Sequence, residues 1–253
     1  MSKPESTLNH VHPLAVRELI RLLAPQAIKE PLVRIGSVGD GGYLIPTTRL
    51  DVSDVFSPGV ADVCDFEWHF AQLGANCHLC DLSVDSPPRS HPLFYFTKKF
   101  LGPFTTHSHL SLEEWISNSP KGDGDWILQM DIEGAEYSTI LPCPDALLRR
   151  FSIVVVEFHA FNEVFLPTSF PLISMAISKL SRNFTPIHAH ANNAAPHFLV
   201  GDINFPTCFE MTFARLDVIE QTGQYSELPH ELDAPNSTEN LDNALTLDKF
   251  FIR

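Results

Sequence analysis

The sequence predicts one α/β domain, built on a mostly parallel, doubly wound sheet with helices on both faces. Three observations carry this. Strand-like runs alternate with helix-forming segments from Asp54 to Leu180. The runs, of which Ile153-Val154-Val155-Val156 is the strongest, are apolar at every position rather than every second one. Strands covered on both faces read that way. Glycine or acid follows several of them, at Gly59, Asp81, Asp131 and Glu157.

Taken in order, residues 1–30 read as a helical N-terminal extension. In it Leu14, Leu19, Ile20 and Leu23 share one face, with Arg17, Glu18 and Arg21 outside. The core spans 31–216. It opens with a hairpin, because Gly39-Asp40-Gly41-Gly42 separates two β-prone runs. Asp54 to Phe56 is a strand turning at Ser57-Pro58-Gly59, and Asp65 to Leu73 a helix stopped by Gly74. Cys77 to Cys80 and Phe94 to Thr97 are strands. Ser111 caps a helix and forms a capping box with Glu114. Trp126 to Met130 is a strand, Ala135 to Leu141 a helix. Pro171 to Leu180 is a helix with proline in its first turn. The strands Phe184–Ala189, Phe198–Val200 and Met211–Leu216 come next, without a long helix between the last two, which predicts an antiparallel edge. Residues 217–253 form a polar tail, read as loop or mobile chain, with Leu245 to Ile252 apolar enough to dock back.

Composition limits the function. With 253 residues and 44% apolar content, the chain suffices for one core. No apolar run nears the roughly 20 residues of a membrane helix, and the first residues have no signal-peptide character. These features predict a soluble, cytoplasmic protein without membrane partners. A net charge of -14 argues against nucleic-acid binding, which needs clustered Lys and Arg. A small or uncharged substrate fits better. The five cysteines are scattered, as in a reduced protein. Cys77 and Cys80 form a lone CxxC inside an apolar run and read as core.

In open α/β sheets, ligands bind beyond the carboxyl ends of the strands. Gly59 would let backbone approach a ligand. Asp81 lies about 20 residues further on, the offset at which an acid meets a ribose hydroxyl. Asp131-Ile132-Glu133-Gly134-Ala135-Glu136 is the densest motif. Its glutamates suit a helix N-terminus, but Asp131 belongs at the cleft mouth. Glu157 and His159 share a strand face. His188, His190, Asn192 and Asn193 add a polar cluster. Asp131, Glu157, His159 and His190 are the candidate catalytic group, expected to converge, with a neutral His159 or His190 as base. Asp131, Glu157 and His159 are the candidate ligands of a divalent metal.

These residues resemble the FkbM-type methyltransferases. The matching stretches are GDGGYLI at Gly39 to Ile45, FSPGVADVCDFE at Phe56 to Glu67, LQMDIEGAEYSTIL at Leu128 to Leu141 and VVVEFH at Val154 to His159, with HAHANN at His188 to Asn193. The resemblance implies a Rossmann-like class I methyltransferase fold with seven strands, the last antiparallel. It implies S-adenosylmethionine near Ser57, Gly59, Asp81 and Asp131, and O-methylation of a hydroxyl on a small molecule or sugar. The loop at Gly59 departs from the family in having one glycine instead of several. Two other readings remain. One is a non-catalytic binding module that keeps the fold. The other is an NAD-dependent oxidoreductase, which the absence of GxGxxG disfavours.

Overall fold

The computed structural model describes residues 10–241, 244–246 and 251. Its main sheet has seven strands: β1 (Asp54–Pro58), β2 (Asn76–Cys80), β3 (Phe94–Thr97), β4 (Trp126–Met130), β5 (Phe151–Phe158), β6 (Phe184–Ala191) and β7 (Phe209–Arg215). Their spatial order is β6-β7-β5-β4-β1-β2-β3. The strands β1 to β5 run parallel, and β7 is antiparallel to both β5 and β6.

The expected antiparallel edge is thereby corrected. The antiparallel strand lies second from the edge, and β6 is the edge. An antiparallel neighbour needs no helical crossover, so β7 can turn back between β5 and β6 and find ladder partners on both sides. Phe198–Val200 also leaves the main sheet. It belongs to a separate hairpin, His197–Val200 with Ile203–Pro206.

Alternate residues of the central strands enter two cores. Trp126, Leu128 and Met130 of β4 and Val154, Val156 and Phe158 of β5 face α1 (Pro13–Leu22), α3 (Leu112–Asn118), α4 (Glu136–Ile140), α5 (Asp145–Leu148) and α6 (Phe170–Asn183). Ile127, Ile153 and Val155 face the other way, toward α2 (Asp65–Gln72) and the hairpin of Leu32–Gly36 and Gly42–Pro46. Burial on both sides explains the unbroken apolar runs. Cys77 and Cys80 are buried free thiols in this packing, and burial pushes the Cys80 thiol up to about 12. Ser111 caps α3 by accepting from the Glu114 N–H at 3.2 Å. Its own N–H goes to Thr105 Oγ1, which takes the place of the expected reciprocal bond from Glu114.

Of the C-terminal residues expected as loop or mobile chain, the described ones are a short strand and a loop that bond back to the sheet. Gln221–Tyr225 pairs antiparallel with Gln26–Ile28. Ser226 Oγ then donates to Ile187 O of edge strand β6 at 2.9 Å. The polar cluster on β6 holds the chain beyond Ser226. His188 Nε2 lies 2.9 Å from Asp233 Oδ1, and Asn193 Nδ2 donates to Ser237 O at 2.7 Å. Leu245 and Phe251 are buried. The rest of the expected docking segment, 247–250 and 252, lies outside the described residues. Among the described residues no helix is long and apolar enough to cross a membrane.

The amino edge of the sheet is tied at Asp54, a buried acid. Its carboxylate takes His78 Nε2 at 3.0 Å, Ser53 Oγ at 2.7 Å and the Gly122 N–H at 2.8 Å. Burial alone would raise its pKa, but these hydrogen bonds outweigh burial and hold it below the usual value. Such stability is complete above the unfolded pKa and lost as pH falls through the folded one. Asp54→Ala is expected to cost about 2–4 kcal/mol at pH 7 by stranding buried donors. The loss should shrink as acid titrations descend below about pH 4. Urea unfolding at pH 7 and pH 3.5 checks both; equal losses at the two pH values would contradict the linkage.

Candidate active site

The carboxyl ends of β1 and β4 open into a cavity of about 230 Å³. The hairpin turn supplies Asp40, Gly41 and Tyr43, the loop after β1 supplies Gly59 to Asp62, and β4 supplies Gln129 and Asp131. Among the described residues its ionisable lining is Asp40, Asp62, Asp65, Glu67, Asp131 and the phenol of Tyr43, without Lys, Arg or His, and Asp65 is paired with Arg89 at 2.9 Å.

A hydrogen-bonded chain forms the floor. Gln129 Nε2 donates to Tyr43 OH at 3.1 Å. Ser57 Oγ contacts both Gln129 Oε1 and Glu67 Oε1. The hydroxyl has one proton to give, so one contact runs on a proton from Glu67. That agrees with burial, which pushes Glu67 up to about 7.

Gly59 is set by contact as well as by conformation. Its φ is +89°, and a Cβ there would lie 1.5 Å from the backbone oxygen of Asp131. The glycine thus lets the β1 loop touch the β4 turn, and its N–H donates to Cys80 O at 3.0 Å. Asp81 supports the same loop. It accepts from the Ala61 N–H at 2.9 Å and from Ser83 N and Oγ, both at 2.7 Å.

Beside the cavity lies a second centre, around His159. Glu136 Oε1 takes His159 Nδ1 at 3.0 Å and also accepts from the N–H groups of Gly134 and Ile132, at 3.0 and 3.2 Å. One buried carboxylate therefore shapes the turn after β4 and orients the imidazole. His159 Nε2 is faced by Glu133 Oε2 at 3.6 Å and by Asp131 Oδ1 and Glu157 Oε1, both at 3.8 Å. Glu157 accepts from Asn192 Nδ2 at 2.7 Å and from the Cys208 thiol at 2.8 Å. Its cross-strand partner on β7 is Glu210, a like charge that disfavours ionisation of Glu157.

Burial, then the charge of Glu157, holds Asp131 well above the usual carboxylate range. Burial and Glu210 do the same for Glu157. For His159 burial opposes the charge, but Glu136, Glu157 and Asp131 outweigh it and raise its pKa. The surrounding acids thus favour the protonated ring over the neutral base expected at His159.

Asp131, Glu157 and His159 are brought together, as expected, and Asp131 alone of the three lines the cavity. His190 stands apart. Its Nδ1 lies 3.4 Å from Glu210 Oε2, and it is 3% exposed. Because β7 is inserted between β5 and β6, His190 is two strands away from Glu157. Ser57 and Gly59 reach the cavity floor and rim, while Asp81 lies beneath the loop. Several donor sets could hold a metal: Asp131, Glu133 and His159; Glu157, His159 and Cys208; and Asp40, Glu157 and Glu210. Burial and the acids around Cys208 drive its thiol pKa far up, so it is a poor ligand.

Sequence reasoning passed over Tyr43, Gln129 and Glu210, took Glu67 with Asp62 and Asp65 as negative charge that suits a sulfonium or solvates a helix, and took Glu136 only as a helix-end charge. Glu210 had a signal, a lone acid within the apolar run Phe209 to Ala214. Tyr43 and Gln129 had none, because hydrogen-bond partners so distant in the chain leave no spacing to read.

Residues 89–185 match the family model of the methyltransferase FkbM domain. The chain carries an FkbM methyltransferase match over its central third. The match takes in the β4 turn from Asp131 to Glu136 together with Glu157 and His159. It supports methyltransferase function for this fold. The Gly59 loop, Asp81, and the β6 residues from Pro186 onward lie outside the FkbM match and rest on the geometry alone. No curated protein matches the chain.

Proposed function

We propose that the chain is an S-adenosylmethionine-dependent methyltransferase of the Rossmann-like class I fold, acting on a hydroxyl of a small molecule or sugar in the cytoplasm. The observation that carries this is the acidic lining of the cavity at Gly59: five carboxyl groups, of which Asp65 pairs with Arg89 and Glu67 is pushed up to about 7, and no Lys, Arg or His among the described lining residues. S-Adenosylmethionine brings a sulfonium and an ammonium to such a lining. A dinucleotide would bring two phosphates, which the same lining repels. The strand order agrees with the fold that the resemblance implies.

In this reading the cofactor's amino acid end lies over Ser57, Gly59 and Gln129. Asp81 has about four acceptor positions and spends three on the loops, which leaves about one for a ribose hydroxyl. The acceptor hydroxyl enters from the His159 side. Asp131, which belongs to both the cavity and the His159 centre, takes its proton as the methyl moves, and Glu157 and His159 hold Asp131 and the acceptor in place.

Calorimetry tests the reading. S-Adenosylmethionine and S-adenosylhomocysteine are expected to bind in the low micromolar range, about -8 kcal/mol, while NAD gives no heat. Folded protein with no heat for either adenosyl ligand at millimolar concentration would sink the reading. Glu67 supplies a pH signature. It ionises near 7, so S-adenosylmethionine affinity should rise from pH 6 to pH 8, and Glu67→Gln should flatten that rise. A raised carboxylate pKa also withdraws stability as pH climbs from the unfolded value through the folded one. Glu67→Gln should therefore stabilise the free protein by about 1–3 kcal/mol at pH 8. A variant that keeps the pH dependence of binding would show that Glu67 does not sense the ligand.

A further inference from the structure

We propose that Asp131, Glu133 and His159 form a binding site for one divalent transition-metal ion of the Mn²⁺ or Zn²⁺ class, flanked by Glu157. His159 anchors the site. Its Nδ1 is fixed on the buried carboxylate of Glu136 at 3.0 Å, which directs Nε2 at the opposite acids. Ligating histidines are commonly held this way, one ring nitrogen on a carboxylate and the other on the ion, which displaces the Nε2 proton as it binds. The donor atoms of Asp131, Glu133 and His159 all lie within 4.8 Å of one another. Glu133 Oε2 and Asp131 Oδ1 stand 3.6 and 3.8 Å from Nε2. Those separations are too long for hydrogen bonds. They are close to the spacing of ligands that share an ion at about 2.1 Å.

Glu157 is an independent observation. It is 2% exposed, its Oε1 faces Nε2 at 3.8 Å, and its buried Oε2 has no hydrogen-bond partner. A buried carboxylate oxygen without a donor calls for a proton or a cation, and Oε1 of the same carboxylate faces the proposed ion. The donor chemistry, carboxylates with one imidazole, suits Mn²⁺ or Zn²⁺ better than an all-oxygen ion such as Ca²⁺. Glu133 is 87% exposed on its side chain, so the ion keeps a solvent-facing side where an acceptor oxygen can replace water.

The proposal shares Asp131 and His159 with the methyltransferase reading but needs no cofactor, and its test is run without one. The full chain is stripped with chelator and titrated with Mn²⁺ while the free-ion paramagnetic resonance signal is followed; Zn²⁺ serves as competitor. One ion per chain is expected, at micromolar affinity, with a higher melting temperature. Asp131→Asn and His159→Gln should each weaken uptake at least tenfold. Glu133→Gln, on an exposed side chain, should weaken it several-fold without changing the metal-free melting temperature, which separates ligand loss from misfolding. No saturable uptake by folded protein at millimolar Mn²⁺ or Zn²⁺, or unchanged uptake in Glu133→Gln and a folded His159→Gln, overturns the site. Either outcome leaves S-adenosylmethionine calorimetry in chelator free to succeed or fail separately.

Discussion

Gly59→Ala is expected to destabilise the domain by about 2–5 kcal/mol, an unusually large effect for one methyl group. Two effects add. The backbone there has φ +89°, which side chains other than hydrogen disfavour, and the new Cβ would lie 1.5 Å from Asp131 O. A flexible neighbour could yield, but this one is backbone. The β4 turn must move, and Asp131 moves with it. S-Adenosylmethionine affinity should fall more than about tenfold, because the loop and Asp131 both border the cavity. Urea unfolding and calorimetry check the two losses. An Ala variant within about 0.5 kcal/mol of the parent would mean that the loops adjust, and would remove the contact argument for Gly59. Gly59 thus does more than clear room for a ligand: it holds the two loops together.

The second large effect is expected at Glu136. Its Oε1 serves two backbone N–H groups and His159 Nδ1, all from inside the protein. Glu136→Ala strands those donors and should cost about 3–5 kcal/mol. Glu136→Gln keeps an acceptor oxygen but no charge, and should cost only about 1 kcal/mol. A purely structural role would end there. As a positioning residue, Glu136 should also be visible in the ring it orients. The hydrogen-bonded Nδ1 proton of His159 should give a downfield resonance in the parent, move upfield in Glu136→Gln and vanish in a folded Glu136→Ala. An unchanged His159 resonance in Glu136→Gln would leave Glu136 as a cap of its own turn only.

Much of this architecture could be read along the chain because it follows from local patterns. Apolar runs at every position require a sheet buried on both faces, and the alternation with amphipathic segments makes it parallel. Gly59 after β1, Asp81 after β2, Asp131 after β4 and Glu157 near the end of β5 then fall on one edge by topology alone, so Asp131, Glu157 and His159 could be gathered from the sequence. What stayed hidden depends on pairings between distant segments. An antiparallel strand can enter a sheet at its edge or inside it with the same residues, and the choice of the inside moved His190 away from Glu157. Polarity marked residues from about 220 to 243 as loop or mobile chain, but Ile187 and His188 of β6 and Asn193 just beyond it supply partners to Ser226, Asp233 and Ser237. The protonation of His159 is collective in the same way: it depends on Asp131 and Glu136 of the β4 turn together with Glu157 of β5, and no single spacing encodes their sum. The sequence by itself determined the layers, the direction of five strands and the edge that bears the site. Only tertiary structure decided which polar groups share that edge at hydrogen-bonding distance, because hydrogen bonds and charge interactions act over a few ångströms while the residues concerned lie tens of positions apart.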